Sequence, residues 1–556
     1  MFNNNKVLVV IPAMGDSKDI PRKNIRLLHD KPLIAYSIGI AKASQYVDDI
    51  VVATDDSEIA LISEKFGSTV IKYSNELDSD EMFQYSVIYD TMIQKEKIAF
   101  DEFDIIINLQ PTSPLLKTQT LDGAIEKFDD YSIDSVITVV DDRQLRWGLD
   151  ESTQKFMPNY SQRLNRQHLP SAFKETGAIL ASRREFITSN SILGNHIDLV
   201  EVSREESVDI ESYEDWWIAE NYLKRKRVAI VVNAYSEIGT GHIFRCLALA
   251  SKLIYHDILF LIDEQHQLGV DIVNSYNYPF KLYKGKKDLL NSLKMYSPDI
   301  VINDILDTSR DYIFTLKENG YFVINFEDLG EGAECADLVF DALYEHDVDS
   351  NNIFTGPKYF ILRDEFYLQP DKIITNTVNN VLITFGGSDP NNYTQKVLDS
   401  ILATNYEGRI NVILGWGYKD VDGIVERYGS HPLIQIYQHV SNISEFIFNA
   451  DIIFTSPRRT LYEICSLGVP TICLCQNERE MSHTFGNIRN GFINMGLGYN
   501  LENQQIIDEF INLVNNYDLR VAMNNKMLSI DLKNGFENIW HIVREKYRQT
   551  KLNKSQ

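Results

Sequence analysis

Short runs of Val and Ile recur along nearly the whole chain, alternating with segments of helical period, and this alternation restricts the chain to α/β folds with largely parallel sheets. Residues 7–11, 50–53, 105–109 and 136–140 are such runs, each near-continuously apolar as expected of strands covered on both faces. Between them, residues 33–43 and 57–66 repeat apolar positions every three or four residues and predict helices. At 556 residues the chain is too long for one ordinary core and predicts three or four compact units. Lys224-Arg225-Lys226-Arg227 closes a helical run over 213–223, where cations suit the helix dipole, just before a fresh strand at 228–232. A second, softer division at 371–377 precedes a strand at 381–385. The expected domains are therefore 1–226, 227–370 and 371–556, with a frayed polar tail at 549–556.

The net charge of -25 disfavours nucleic acid and anionic membrane as partners, because either would be repelled over most of the surface. Phosphate ligands would need local cations or a metal. The five cysteines are odd in number and lack paired metal-ligand spacing, so they read as reduced thiols. Cys473 and Cys475 alternate in one predicted strand, which favours core packing over chemistry. The start of the chain lacks a basic region followed by an apolar stretch, and no apolar run spans a membrane; a cytoplasmic location is expected.

The first predicted strand enters Pro12-Ala13-Met14-Gly15-Asp16-Ser17-Lys18-Asp19-Ile20-Pro21-Arg22-Lys23-Asn24, a loop with a glycine and several cations ahead of a helix. Such loops lie at the ligand-binding edge of α/β sheets. By spacing alone it reads equally as a phosphate loop or as a polar surface turn. Thr54-Asp55-Asp56, Leu109-Gln110-Pro111-Thr112-Ser113-Pro114, Arg166-Gln167, Gly177-Ala178-Ile179 and Asp209-Ile210-Glu211 follow in order. Together with the loop they resemble the motifs of the acylneuraminate cytidylyltransferase family over nearly all of residues 6–223. The resemblance implies transfer of CMP from CTP to the anomeric hydroxyl of a nonulosonic acid. It places Lys18 and Lys23 on phosphates, with Lys23 among the catalytic groups, and Gln110 and Arg166 on the acidic sugar. It assigns Asp209 and Glu211 to Mg²⁺; on a strand, residues two apart would face the same way. A homodimer is also implied. Asp55 and Asp56 read better as turn acceptors than as catalysts. The sequence departs from the family at Met14, where an arginine is usual, and at Asp16 and Asp19, where glycines are usual; both kinds of change oppose triphosphate binding.

After the basic boundary, strand 228–232 leads into Asn233-Ala234-Tyr235-Ser236-Glu237-Ile238-Gly239-Thr240-Gly241-His242-Ile243-Phe244-Arg245. Gly239 and Gly241 let backbone approach a ligand, and His242 stands at a helix start, where it is either a functional group or a structural one. With Leu362-Arg363-Asp364-Glu365-Phe366-Tyr367, the turn Phe385-Gly386-Gly387-Ser388-Asp389-Pro390, Glu463 and Asn477, this element resembles the UDP-sugar hydrolase of pseudaminic acid biosynthesis, a relative of two-lobed GT-B glycosyltransferases. The resemblance runs over about 227–498. It implies that His242 positions or activates water, Glu463 binds the ribose or uracil, Gly386 and Gly387 approach the diphosphate, and Asn477 lies in the substrate site. Asn233, Asp304-Ile305-Leu306 and Pro457-Arg458-Arg459 depart from that family. Arg458 and Arg459 read either as phosphate ligands or as a solvated pair.

The expected fold class is α/β, an N-terminal nucleotidyltransferase-type Rossmann-like domain followed by a two-lobed GT-B-like module. The expected function is CMP transfer in the first part and hydrolysis of a UDP-linked diacetamido-trideoxy sugar in the second. A glycosyltransferase in the second half, or a nucleotide-sugar-binding scaffold in either half, is the alternative.

Overall fold

The computed structural model describes residues 2–17, 19–73, 83–233, 241–343, 351–438, 440 and 442–555. The chain divides into two compact units, residues 1–225 and 226–556.

The first unit is built on a seven-stranded sheet. Its strands are β1 (Val7–Pro12), β2 (Asp49–Thr54), β3 (Thr69–Lys72), β4 (Ile105–Leu109), β5 (Ser135–Asp141), β6 (Phe173–Arg183) and β7 (Ile197–Glu201), in the order β7-β5-β6-β4-β1-β2-β3. β1 pairs in parallel with β2 and β4, whereas β6 is antiparallel to β4 and β5. The continuous apolar run of β1 follows from its double cover. Val7, Val9 and Ile11 pack against Ile34 and Ile38 of α1 (Leu33–Ala43), while Leu8 and Val10 meet Val87, Ile88 and Met92 on the opposite face. Full burial of each such side chain contributes roughly 1.5–3 kcal/mol. α2 (Ser57–Phe66) begins where Asp56 accepts from the backbone N–H groups of Glu58 and Ile59 and ends at Gly67 in the left-handed region.

The second unit carries two parallel sheets. In its first lobe β8 (Arg227–Val232), β9 (Asp257–Asp263), β10 (Phe280–Tyr283), β11 (Ile300–Asp304), β12 (Phe322–Phe326), β13 (Leu338–Asp341) and β14 (Ile353–Thr355) form the order β10-β9-β8-β11-β12-β13-β14. In the second lobe β15 (Asn380–Ile383), β16 (Arg409–Leu414), β17 (Ile434–Gln438), β18 (Ile452–Thr455), β19 (Thr471–Cys475) and β20 (Phe492–Leu497) form the order β17-β16-β15-β18-β19-β20. The fold class is thus α/β, a unit on one mixed seven-stranded sheet followed by a unit of two Rossmann-like lobes, each on a parallel sheet.

Two details differ from the sequence-based expectation. The tail is not frayed through 549–555: helix α5 (Gly535–Ser555) continues across it. That helix also leaves the second lobe, whose core closes at Leu532, and packs Ile539 and Val543 into the first lobe's core. Tyr547 donates its hydroxyl to Asp299 (3.1 Å), and a Cβ on Gly535 would stand 1.8 Å from the Phe360 carbonyl oxygen, so the crossing point needs glycine. Cys473 and Cys475 are buried in β19, as core packing requires. No helix among the described residues is long and apolar enough to cross a membrane.

Candidate functional sites

In the first unit the loop after β1 is fastened to its neighbours by polar contacts. Gly15 donates its N–H to Asp55 Oδ1 (2.8 Å), and a Cβ there would stand 2.7 Å from Asp56 Cβ. Asp55 and Asp56 are therefore structural acceptors, the second capping α2. Arg22, with φ of 58°, pairs with Glu58 (2.7 Å), and Asn24 donates to the Met14 carbonyl (2.9 Å). Met14, Gly15, Arg22, Asn24, Asp56 and Glu58 line a small cavity of about 210 Å³. Met14, Asp16 and Asp19 are exposed; Lys18 lies outside the described residues.

Lys23 links this loop to the acidic motif. Its Nζ donates to the Ile210 carbonyl (3.0 Å), and Ile210 in turn donates its N–H to the Thr112 carbonyl (2.8 Å), so three separate motifs meet. Ile210 is fully buried beside Ile20, Leu115 and Trp216, which anchors the segment. Asp209 Oδ1 is buried and has no hydrogen-bond partner. Such an oxygen is costly unless a cation or donor arrives, which fits a metal ligand. Glu211 is exposed, and its N–H donates to Asp215 Oδ2 (3.2 Å). The pair does not sit on a strand as expected: residues 209–211 are irregular chain that bends at Glu211 ahead of the helix Tyr213–Lys224, which the capping box of Ser212 and Asp215 starts. No group of three His, Cys, Asp or Glu among the described residues forms a ready metal cage. One or two carboxylates completed by substrate phosphates suit Mg²⁺ nonetheless.

Gln110 follows β4 directly and is half-buried; its N–H donates to the Ala178 carbonyl (3.1 Å) and its carbonyl accepts from Ser37 Oγ (3.0 Å). Gly177, beside Ala178, has φ of 73°. Arg166 lies in a short turn; its Nη2 donates to the Asp141 carbonyl (3.5 Å) and stands 3.9 Å from the Asp141 carboxylate, which Arg143 already grips (2.9 and 2.7 Å).

In the second unit a cleft of about 400 Å³ lies between the two lobes. Gly241, His242, Gly386, Gly387, Glu463 and Asn477 all line it, while Gly239 lies outside the described residues. His242 opens α3 (Gly241–Lys252), and its Nδ1 donates to Asp304 Oδ1 at the end of β11. Because a carboxylate only accepts, Nδ1 carries the proton in this contact, and the lone pair of the ring in its neutral form lies on Nε2. Arg245, one turn further on, donates Nε and Nη2 to Asp304 (2.6 Å each) and Nη1 to Glu327 (2.6 Å). Burial pushes the Asp304 carboxyl up, but Arg245 and His242 outweigh it and hold the group well below the usual range. Leu306, at φ of 68°, also lines the cleft; strained backbone of this kind persists where surrounding structure holds it.

The second lobe contributes α4 (Arg459–Leu467) and the glycine turn after β15. Glu463 is clamped by Arg363, Nε to Oε1 (2.7 Å) and Nη2 to Oε2 (3.0 Å), so any nucleoside contact must use its remaining lone pairs. Asn477 accepts from the Glu480 N–H (3.1 Å) as a helix cap. Gly386 has φ of 78°, which an L side chain adopts only with strain. Arg458 and Arg459 are not a solvated pair. Arg458 is bound to the buried Glu480, whereas Arg459 lies over the Phe360 ring (4.5 Å) and has a buried Nη1 without a partner. Burial, then Arg245, lowers the Arg459 pKa to about 10. A Cβ on Gly241 would stand 3.1 Å from Arg459 Cδ, so this glycine makes room for an arginine from the other lobe. Thr384 Oγ1, also lining the cleft, is buried without a partner.

The motif reading did not include Asp304, Glu327, Arg245, Arg363 or Thr384 as site residues. Asp304 and Glu327 were visible as acids ending buried Val/Ile runs; Arg363 stood within a quoted motif.

The family profile described as cytidylyltransferase matches residues 8–245. The CMP-N,N'-diacetyllegionaminic acid synthase of Legionella pneumophila is 31% identical over 235 residues, covering 41% of this chain and 100% of the synthase. N-acylneuraminate cytidylyltransferase A of Danio rerio is 33% identical over 224 residues, covering 39% of this chain and 51% of that protein. The chain spans about half the length of the first curated relatives it matches, 56% and 51%. Among solved structures, MurG of Acinetobacter baumannii is similar with a TM-score of 0.44 at 15% identity, over 58% of this chain and 99% of MurG.

Proposed function

We propose, on the premise that the chain belongs to the cytidylyltransferase family, that its first domain, residues 1–226, transfers CMP from CTP to a nonulosonic acid. The observation that carries this reading is the buried, unpartnered Asp209 Oδ1 one residue from the carbonyl that holds Lys23. In the reaction the anomeric hydroxyl of the acid attacks the α-phosphorus of CTP, its proton is lost to solvent or base, and pyrophosphate leaves. Lys23, with Lys18, lies on the phosphates, offering the Nζ donors not spent on Ile210. Gln110 and Arg166 orient the acidic sugar. Asp209, aided by Glu211, would hold Mg²⁺, which when bound supplies charge neutralisation at the phosphates. Incubating the whole protein with CTP, Mg²⁺ and a panel of nonulosonic acids should give a CMP-sugar and pyrophosphate by mass spectrometry. Folded protein that binds CTP but yields neither product would defeat the reading.

Met14→Arg should tighten CTP binding by about three- to tenfold, because it returns a cation to a loop carrying Asp16 and Asp19. Calorimetric titration decides it. Equal or weaker affinity would assign Met14 another role.

For residues 227–370 and 371–556 we propose a UDP-sugar hydrolase whose cleft lies between the lobes. The support is His242, with Nδ1 committed to Asp304, together with the unpartnered Arg459 Nη1 and Thr384 Oγ1 as donors suited to a diphosphate. His242 Nε2 accepts the proton of the attacking water as the anomeric C–O bond breaks and UDP departs. His242→Ala should leave UDP affinity within about twofold while lowering sugar release by about 10²–10⁴-fold. Release at the normal rate would make His242 structural. Product analysis also separates the alternative: free reducing sugar means hydrolysis, and sugar joined to an acceptor means glycosyl transfer.

A further inference from the structure

Three neighbouring strands of the first lobe end on acids. Asp304 ends β11, Glu327 follows β12 directly and Asp341 ends β13, and their exposures are 0%, 2% and 0%. Arg245 is hydrogen-bonded to two of them, Asp304 through Nε and Nη2 and Glu327 through Nη1. The Leu343 N–H is shared by Asp341 Oδ1 (3.2 Å) and Glu327 Oε2 (3.3 Å), which sets those two carboxylates side by side. Glu327 also holds a φ of 53°, a conformation that costs energy and is kept where the surroundings fix it.

We propose that Glu327 and Asp341 share one retained proton at neutral pH, and that Glu327 in this state is a positioning residue that holds Arg245 against Asp304 and thereby fixes His242. Two adjacent carboxylates out of water cannot both be ionised cheaply. The charged and titratable groups that interact with Glu327 are Arg245 on α3, Asp341 on β13, Arg459 and Tyr462 on α4, and His483, while Asp304 and His242 are reached through Arg245. Burial, then Asp341, pushes the Glu327 carboxyl well above the ordinary range against the pull of Arg245 and Arg459. Asp304 moves the opposite way, so neighbouring acids on one sheet edge take opposite charge states. Only the effect on turnover rests on the hydrolase reading; the retained proton does not.

The test uses the whole chain. Infrared spectra at neutral pH should contain the carbonyl stretch of an un-ionised carboxyl that disappears in both Glu327→Gln and Asp341→Asn. Glutamine reproduces the protonated acid, its oxygen accepting from Arg245 and its amide donating to Asp341. A raised folded-state pKa gives stability that is complete below the unfolded value of about 4.3 and is lost as pH rises toward the folded value. The melting temperature of Glu327→Gln relative to wild type should therefore climb between about pH 5 and pH 8. Sugar release should stay within about threefold in Glu327→Gln and fall at least about tenfold in Glu327→Ala, with UDP affinity nearly constant in both. The proposal is overturned if the wild type lacks the band, if both substitutions leave it, if the melting difference is flat with pH, or if Glu327→Ala keeps full turnover. If wild type releases no sugar, the hydrolase reading fails, while the infrared and melting results still decide the proton.

Discussion

Asp209→Ala should lower CMP transfer by about 10³-fold, on the order of 4 kcal/mol, and leave the melting temperature unchanged or slightly raised. The two effects separate because Asp209 Oδ1 makes no protein hydrogen bond despite its burial. A carboxylate retained for the fold would be paired, and its removal would destabilise; one kept for a cation burdens the fold without it. Neighbouring Ile210 supplies the anchoring through its buried side chain and its N–H to the Thr112 carbonyl, and both survive the substitution. Pyrophosphate release at saturating CTP and Mg²⁺, measured beside a thermal melt, checks both halves. Unchanged turnover would remove Asp209 from the site, and a large fall in melting temperature would make it a structural acid.

Arg245→Met should destabilise the second unit by about 3–5 kcal/mol, a fall in its melting temperature on the order of 10 °C. Methionine preserves much of the side-chain volume, so the loss reports charge. Asp304, with 0% exposure, keeps His242 Nδ1 and Cys246 Sγ as its side-chain partners among the described residues, and Glu327 loses its hydrogen bond to Arg245. Burial, no longer opposed by Arg245, then lifts the Asp304 carboxyl toward protonation. The first unit's unfolding and its CTP binding should not change. A melt of the second unit within about 1 kcal/mol of wild type would show that the buried charges offset one another less than the geometry implies.

The strands were readable because period and burial act locally. The expected runs at 50–53 and 136–140 fall inside Asp49–Thr54 and Ser135–Asp141, and α1 and α2 have the bounds their apolar spacing predicts. The return of α5 to the first lobe was not readable, since nothing in its own periodicity says which lobe Ile539 and Val543 will meet. The same holds within the cleft. Gly241 looked like a ligand-facing glycine, yet its missing side chain accommodates Arg459, distant in sequence and in the other lobe. Arg458 and Arg459 were indistinguishable as neighbours; Glu480 separates their roles by pairing with the first. Asp209 and Glu211 were expected to share a strand face, but they lie on irregular chain that bends at Glu211 into the helix capped by Ser212 and Asp215.

The functions proposed above require two separate nucleotide sites on one chain, one for CTP in residues 1–226 and one for UDP between the later lobes. Calorimetric titration of the whole protein with CTP and Mg²⁺, before and after saturation with UDP, tests it most directly. One saturable CTP site is expected whose affinity and stoichiometry do not change when UDP is present, and one UDP site equally indifferent to CTP. Competition between the two nucleotides for a single site, or no CTP binding by the folded chain, would contradict it.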